Sequence, residues 1–244
     1  MAESPPESPP GPPRKRMVRL PGGGEGRPIA QRLKTAKQRT QSSQAWLERQ
    51  LNDPYVAEAK AKGYRSRAAF KLIELDEKLH LIRRGSAVID LGSAPGGWLQ
   101  VLLERGAGAV AGVDLLPVAP LPPAEVLEGD FTDSAVADRL TALLGGAPDV
   151  ILSDMAPNTT GHRQTDHLRI VGLIEAAADF ALEVLAPGGA FVTKAFQGGE
   201  TGALLARLKQ NFAHVRHVKP KASRAESSEL YLLATGFKGR QNQE

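Results

Sequence analysis

Cysteine is absent from the 244 residues, which excludes disulfides and thiolate metal sites. Histidine is scarce: five scattered residues form no pair at ligand spacing, so no structural metal is expected. Long apolar runs are missing as well. No stretch approaches the ~18 residues that cross a bilayer, and the N-terminus lacks the basic-then-apolar order of a signal peptide. No membrane partner is therefore expected, and the cytoplasm is the default location. Hydrophobic residues still make up 41% of the chain. That is enough for one α/β domain of ordinary size with an extension, and a monomer is the default state.

Charge is plentiful but unevenly placed. Residues 14 to 71 carry 15 Lys and Arg against 4 Asp and Glu, whereas residues 72 to 244 carry 16 against 21. A segment of +11 therefore precedes one of −5, as in a polyanion-binding arm joined to a domain that is not itself basic. Residues 1–34 are rich in Pro and Gly with no apolar period, and are expected to be a disordered tail. Residues 35–62 read as a basic helical arm, interrupted at Asn52-Asp53-Pro54, where Asp53 can cap a helix that Gly63 ends. Ser66 is expected to cap a further helix reaching about Leu79, with Phe70 and Ile73 on its apolar face and Lys71 beside it.

From residue 63 to 238 short apolar strands alternate with helical stretches, the pattern of a mostly parallel sheet with helices on both faces. Strands are expected at 87–91, 109–113, 126–127, 150–153 and 190–194, with helices at 97–105, 134–144, 165–185 and 202–211. Two last strands, 215–218 and 230–234, are close enough to pair antiparallel, which makes seven in all. Residues 239–244 are a short tail.

The densest chemical signal lies where the first strand meets its helix: Asp90-Leu91-Gly92-Ser93-Ala94-Pro95-Gly96-Gly97-Trp98. Glycine there allows close backbone approach to a ligand at the carboxyl end of a strand. Gly92, Gly96 and Gly97 give GxxxGG rather than the dinucleotide GxGxxG, and no P-loop Lys follows, which argues against NAD and ATP. Acids recur at the ends of the next strands: Asp114, Asp130 and Asp154. They would repel a pyrophosphate but suit the hydroxyls, amines and sulfonium of S-adenosylmethionine. Taken singly, each could equally cap a turn, and Trp98 could equally pack a helix.

Four separated motifs in order, together with the glycine turn, then carry a resemblance over roughly residues 60 to 238. DLGSAPGGW, SDMAPN (153–158), VTKAFQG (192–198) and SSELYLL (227–233), preceded by YRSRAAFKL (64–72), resemble the FtsJ/RrmJ family of RNA ribose methyltransferases. The resemblance implies a Rossmann-like S-adenosylmethionine-dependent methyltransferase fold whose seven-stranded sheet has one antiparallel strand. It also implies a catalytic set of Lys71, Asp154, Lys194 and Glu229. Cofactor contacts are expected from Gly92, Pro95, Gly96, Gly97, Trp98, Asp114, Asp130 and Asp154. Within the family, the bacterial enzymes that methylate a uridine ribose in 23S rRNA of the large ribosomal subunit are the most similar, so that RNA is the expected partner. Ser93 departs from the alanine usual in the family.

The chemistry accounts for these residue types. An alcohol must attack an electrophilic methyl in line with a departing sulfur, and one proton must be managed. An ordinary lysine has a pKa of about 10.4, so only about one in 2,500 is neutral at pH 7. Whether Lys194 acts as a base or an orienting group is therefore for its neighbours to decide. Phosphate contacts are expected from Lys34, Lys37, Arg39, Lys60, Lys62, Arg65 and Arg67, which position RNA without reading sequence. Two alternatives stay open: a tRNA or mRNA-cap ribose as acceptor, and a non-catalytic ribosome-assembly protein that retains the fold.

Overall fold

The run Ala87-Val-Ile-Asp-Leu91 has the β-branched, apolar character of a strand buried on both faces, and it forms β1 at the centre of a seven-stranded sheet. The computed structural model describes residues 47–48, 50–157, 160–198 and 201–239. The expected tail at 1–34, most of the arm, and Lys34, Lys37 and Arg39 lie outside them. Strand order is β3-β2-β1-β4-β5-β7-β6. The strands are β1 (Ala87–Leu91), β2 (Ala109–Asp114), β3 (Glu125–Glu128), β4 (Val150–Ser153), β5 (Ala190–Phe196), β6 (Phe212–Val218) and β7 (Glu229–Phe237). Only β7 runs against its neighbours, pairing antiparallel with both β5 and β6. This is the fold class expected from the sequence.

Period two along the strands divides the core into two layers. Ile89, Leu91, Ile151 and Phe191 point to one face, where they meet α4 (Ser134–Ala142), α5 (Arg163–Val184) and α6 (Gly202–Asn211). Val88, Leu152, Val192 and Leu233 point to the other, under α2 (Ala68–Leu79) and α3 (Gly97–Glu104). Continuing the alternation to the strand ends puts Asp154, Lys194 and Tyr231 on this second face, toward α2. Chain order reverses between β1 and β4, so the crevice beyond their carboxyl ends is the switch point where ligands bind in open α/β sheets.

Several boundaries differ from the sequence reading. Helix α1 (Pro54–Lys62) begins as expected: Asp53 Oδ1 accepts from the Tyr55 amide at 3.1 Å, and Gly63 closes it at φ 78°. It packs on the following domain through Tyr55 and Phe70, whose ring centroids lie 5.4 Å apart. Helix α2 has Arg67, not Ser66, at its N-cap and makes no side-chain cap bond. The Ser66 side chain instead fills the space beside Gly97, where a Cβ would lie 2.4 Å from its Oγ. Strand β5 continues to Phe196 because β7 pairs it as far as Phe196↔Glu229, a long-range constraint no local pattern carries. Helix α5 starts at Arg163, two residues before the expected Thr165. Among the described residues no helix is long and apolar enough to cross a membrane.

Candidate active site

Four elements bring four charged side chains to the carboxyl end of the sheet. Lys71 comes from α2, Asp154 follows β4 directly, Lys194 stands in β5 and Glu229 opens β7. Lys194 pairs with Tyr231 across the β5–β7 ladder, so the two side chains share a face, and Glu229 joins them two residues away. The Lys194 Nζ donates to the Asp154 main-chain oxygen at 2.8 Å and lies 3.1 Å from its Oδ1. Lys71 Nζ is 2.8 Å from Glu229 Oε1 and 3.6 Å from Asp154 Oδ1. The four side chains therefore form one chain of contacts, Glu229 to Lys71 to Asp154 to Lys194, with two charges of each sign. All four are at most 14% exposed.

Burial fixes the protonation states that matter. Desolvation alone would raise the Asp154 carboxyl, but Lys194, then Lys71, and hydrogen bonds from Tyr231 and Lys194 outweigh it and hold it below the usual carboxylate value. Asp154 is thus an anion. Tyr231 moves the other way: burial, then the charges of Asp154 and Glu229, push its hydroxyl well above the usual tyrosine value. It remains neutral and donates a hydrogen bond to Asp154 Oδ1 at 2.6 Å. Ser223 holds the far end of the chain, donating to Glu229 Oε1 at 2.7 Å. Beside Lys71 and Glu229 opens a hollow of about 370 Å³, also lined by Gln50, Ala68 and Arg224.

The glycine turn lies beside this set. Gly92 (φ 79°) and Gly96 (φ 104°) occupy the left-handed region, and a Cβ on Gly92 would sit 2.3 Å from Met155 Cγ. Only glycine fits there. Asp114 joins the turn to the end of β2: its Oδ2 accepts from the Ala94 amide and its Oδ1 from the Leu116 amide, both at 2.9 Å. Asp90 is 1% exposed, and among the described residues neither carboxylate oxygen has a hydrogen-bond partner. Burial, then Asp154 and Asp114, raises its carboxyl well above the usual value. An acid left without a donor at the carboxyl end of β1 is what a cationic ligand requires. The buried Ser93 hydroxyl beside it also lacks a partner. A small molecule with an ammonium group and hydroxyls fits this donor and acceptor set; a polyphosphate does not.

Other expected residues have different surroundings. Trp98 is 3% exposed, donates Nε1 to the Ala68 carbonyl at 2.8 Å and packs on Tyr231, so its described contacts are those of a core residue. Asp130 Oδ1 accepts from the amide and hydroxyl of Thr132, as in a capped turn. Arg65 donates to the carbonyls of Pro95, Ala119 and Pro120, which ties the glycine turn to the loop after β2. Arg67 is paired with Asp53 and donates to the Ala222 carbonyl. Both arginines expected at RNA thus serve intrachain contacts. Lys60 and Lys62 are exposed on α1, Lys62 in a helical pair with Glu58. Among the described residues no cluster of His, Asp and Glu could hold a metal.

Tyr231, Asp90 and Ser223 are functional neighbours the sequence reading did not single out. Tyr231 could have been found from its spacing of two from Glu229 in a strand. Asp90 could have been found as a carboxylate inside an otherwise apolar strand. Ser223 gives no signal, because its contact depends on how a loop folds back.

The sequence profile of FtsJ-like methyltransferases matches residues 64–237. The ribosomal RNA large subunit methyltransferase E of Caulobacter sp. (strain K31) is 65% identical over 226 residues, covering 92% of this chain and 100% of that protein. The protein of the same name from Granulibacter bethesdensis is 61% identical over 218 residues, covering 89% of this chain and 94% of the relative. A Plasmodium falciparum crystal structure designated a ribosomal RNA methyltransferase superposes with a TM-score of 0.65 at 34% identity, covering 72% of this chain and 100% of that one.

Proposed function

Because the chain belongs to the FtsJ-like methyltransferase family, we propose that it transfers a methyl group from S-adenosylmethionine to a uridine ribose 2′-hydroxyl in 23S rRNA of the large ribosomal subunit. The observation that carries this reading is the contact chain Glu229, Lys71, Asp154, Lys194 beside a turn that only glycine can form. The names of the relatives supply the RNA class.

The bound cofactor would supply an electrophilic methyl on a sulfonium sulfur. Asp90, with two acceptor oxygens lacking a donor, is matched to its ammonium group, and Gly92 and Gly96 let it approach the backbone. Lys194 gives two contacts to Asp154, which leaves a third N–H to hold the attacking 2′-oxygen. When the cofactor is bound, attack by the 2′-oxygen would make its hydroxyl proton strongly acidic, and the Asp154 carboxylate, held as an anion beside Lys194, would accept it. Lys71, itself held by Glu229, keeps Asp154 from turning away. Positioning of this kind can supply up to about 7 to 11 kcal/mol of the barrier reduction.

Exposed Lys60 and Lys62, with the basic residues preceding them, are suited to phosphate contacts that orient the RNA. Incubating the protein and labelled S-adenosylmethionine with intact large subunits, free rRNA and bulk tRNA, then mapping the modified nucleotide, tests the proposal. Label at a 2′-oxygen of large-subunit rRNA is the expected result. Label confined to tRNA, or none with any RNA, would refute it.

A further inference from the structure

At the opposite end of the sheet from Lys194, the amino ends of β1, β4 and β5 border a hollow of about 590 Å³ that none of the chemistry above uses. Three arginines from two parts of the chain converge on it: Arg83 and Arg84 from the loop before β1, and Arg216 from edge strand β6. All three are exposed. Among the described residues none of their guanidinium groups makes a hydrogen bond or ion pair, unlike those of Arg65, Arg67 and Arg224. The one carboxylate lining the hollow, Asp149, already accepts from the Ala87 amide at 2.8 Å. This concentration of positive charge lies in a segment that is acidic as a whole, with 16 basic residues against 21 acidic ones.

We propose that this groove is a second RNA-binding surface, which grips the phosphate backbone of another part of the same large-subunit RNA while the target ribose occupies the active site. The chemistry of the lining sets the ligand class. Free guanidinium groups in an open hollow suit phosphate oxygens, to which arginine binds in bidentate fashion. No Phe, Tyr or Trp lines the hollow and His80 is the one ring beside three arginines, so phosphates rather than a row of stacked bases suit it. The glycine amides on its floor are engaged, Gly85 with the Gly106 carbonyl and Gly188 with that of Phe237, so recognition falls to the arginine side chains. Such contacts position a folded RNA and do not read its sequence. Ala190 lines the groove and Lys194 lies in the active site, so about 13 Å of β5 separates them at ~3.3 Å per residue. Both sites can therefore be engaged together only by an RNA that folds around the sheet edge. The inference rests on the rRNA reading above.

The test uses the full chain with Arg83→Ala, Arg84→Ala and Arg216→Ala combined. These exposed side chains make no described contact whose loss should unfold the protein, and a melting curve checks that directly. Binding to protein-free large-subunit rRNA is measured across a salt series, with a short single-stranded RNA in parallel. Each lost phosphate contact should flatten the slope of log affinity against log salt by about 0.9. We expect the variant's slope on rRNA to fall by about two to three, with binding to the short RNA unchanged. Equal slopes and affinities for variant and wild type on rRNA would overturn the proposal. Methyl transfer is a separate readout: a wild type that binds rRNA yet places no methyl on it refutes the functional reading, whereas equal salt slopes beside normal methylation refute only the groove.

Discussion

The Tyr231 hydroxyl and Asp154 Oδ1 are 2.6 Å apart, and the tyrosine is the donor. This places a neutral, fully buried group on the same carboxylate oxygen that faces two lysines, and it accounts for how Asp154 keeps one orientation between them. In Tyr231→Phe the ring still packs on Trp98, but Asp154 loses a hydrogen bond to a charged group, worth about 1.5 to 3 kcal/mol. Because the lysines remain, part of that loss will be recovered. We expect single-turnover methyl transfer to slow by roughly tenfold, about 1.4 kcal/mol, with a melting temperature lowered by no more than a few degrees. An unaltered rate would show that the lysines alone fix the carboxylate.

Lys194→Ala removes both the contact to the Asp154 main-chain oxygen and the group assigned to the 2′-oxygen. It does not touch the glycine turn. Transfer should fall by about 10²- to 10⁴-fold, the range for a positioned proton-handling group, while S-adenosylmethionine binding by calorimetry stays near the wild-type value. Retained turnover in an isotope-transfer assay would remove Lys194 from the mechanism.

Under the proposed function, Asp90 links stability to cofactor binding. Its carboxyl is raised in the folded chain, chiefly by burial and then by Asp154 and Asp114, so the folded state holds a proton that the unfolded state releases. The sign follows from linkage: the contribution of Asp90 is fully present below the unfolded carboxylate pKa of about 3.9 and is lost as pH rises toward the folded value. Asp90→Asn keeps the shape without the ionisation. The cofactor-free variant should therefore melt higher than wild type at neutral pH, with the gap closing toward pH 4. Its affinity for S-adenosylmethionine should drop by roughly ten- to a hundredfold, the equivalent of a charge-assisted bond of about 1.5 to 3 kcal/mol. Thermal melts across pH and calorimetric titration check the two halves separately. Unchanged affinity would dissociate Asp90 from the ammonium group.

What could be read in advance follows the range of the interactions involved. Strand Ala87–Leu91 and the turn after it were legible because burial pattern and glycine spacing are local properties. Lys71, Asp154, Lys194 and Glu229 were legible only through motifs, since their meeting depends on β7 pairing antiparallel to β5. The internal roles of Arg65 and Arg67 were not legible at all. A basic residue looks the same in sequence whether its guanidinium meets a phosphate or, as for Arg65, three carbonyls of its own chain. The same holds for Arg216, which lies more than 130 positions from Arg83 and Arg84 in sequence and is brought to one groove with them by the sheet.

Asp53 shows how the helix before the domain is fixed to the site. Its Oδ1 caps α1, while its Oδ2 takes Arg67 and, at 3.2 Å, Arg224 from the loop that leads to Glu229. The carboxylate side chain is 7% exposed, Arg67 15% and Arg224 28%, so a buried carboxylate holds two part-buried arginines. Removing the carboxylate leaves two part-buried arginines without their charged partner, and a lost hydrogen bond to a charged group typically costs about 1.5 to 3 kcal/mol. Loss of the cap adds to it, by about 1 kcal/mol. We expect Asp53→Ala to lower the urea midpoint accordingly. Because Arg224 and Ser223 belong to one loop, slackening the first should also loosen the grip of the second on Glu229. The variant should therefore lose methyl-transfer rate even under conditions where it is fully folded, and S-adenosylmethionine binding, which depends on the other side of the crevice, should persist. A folded variant with full activity would show that the triad anchors α1 alone.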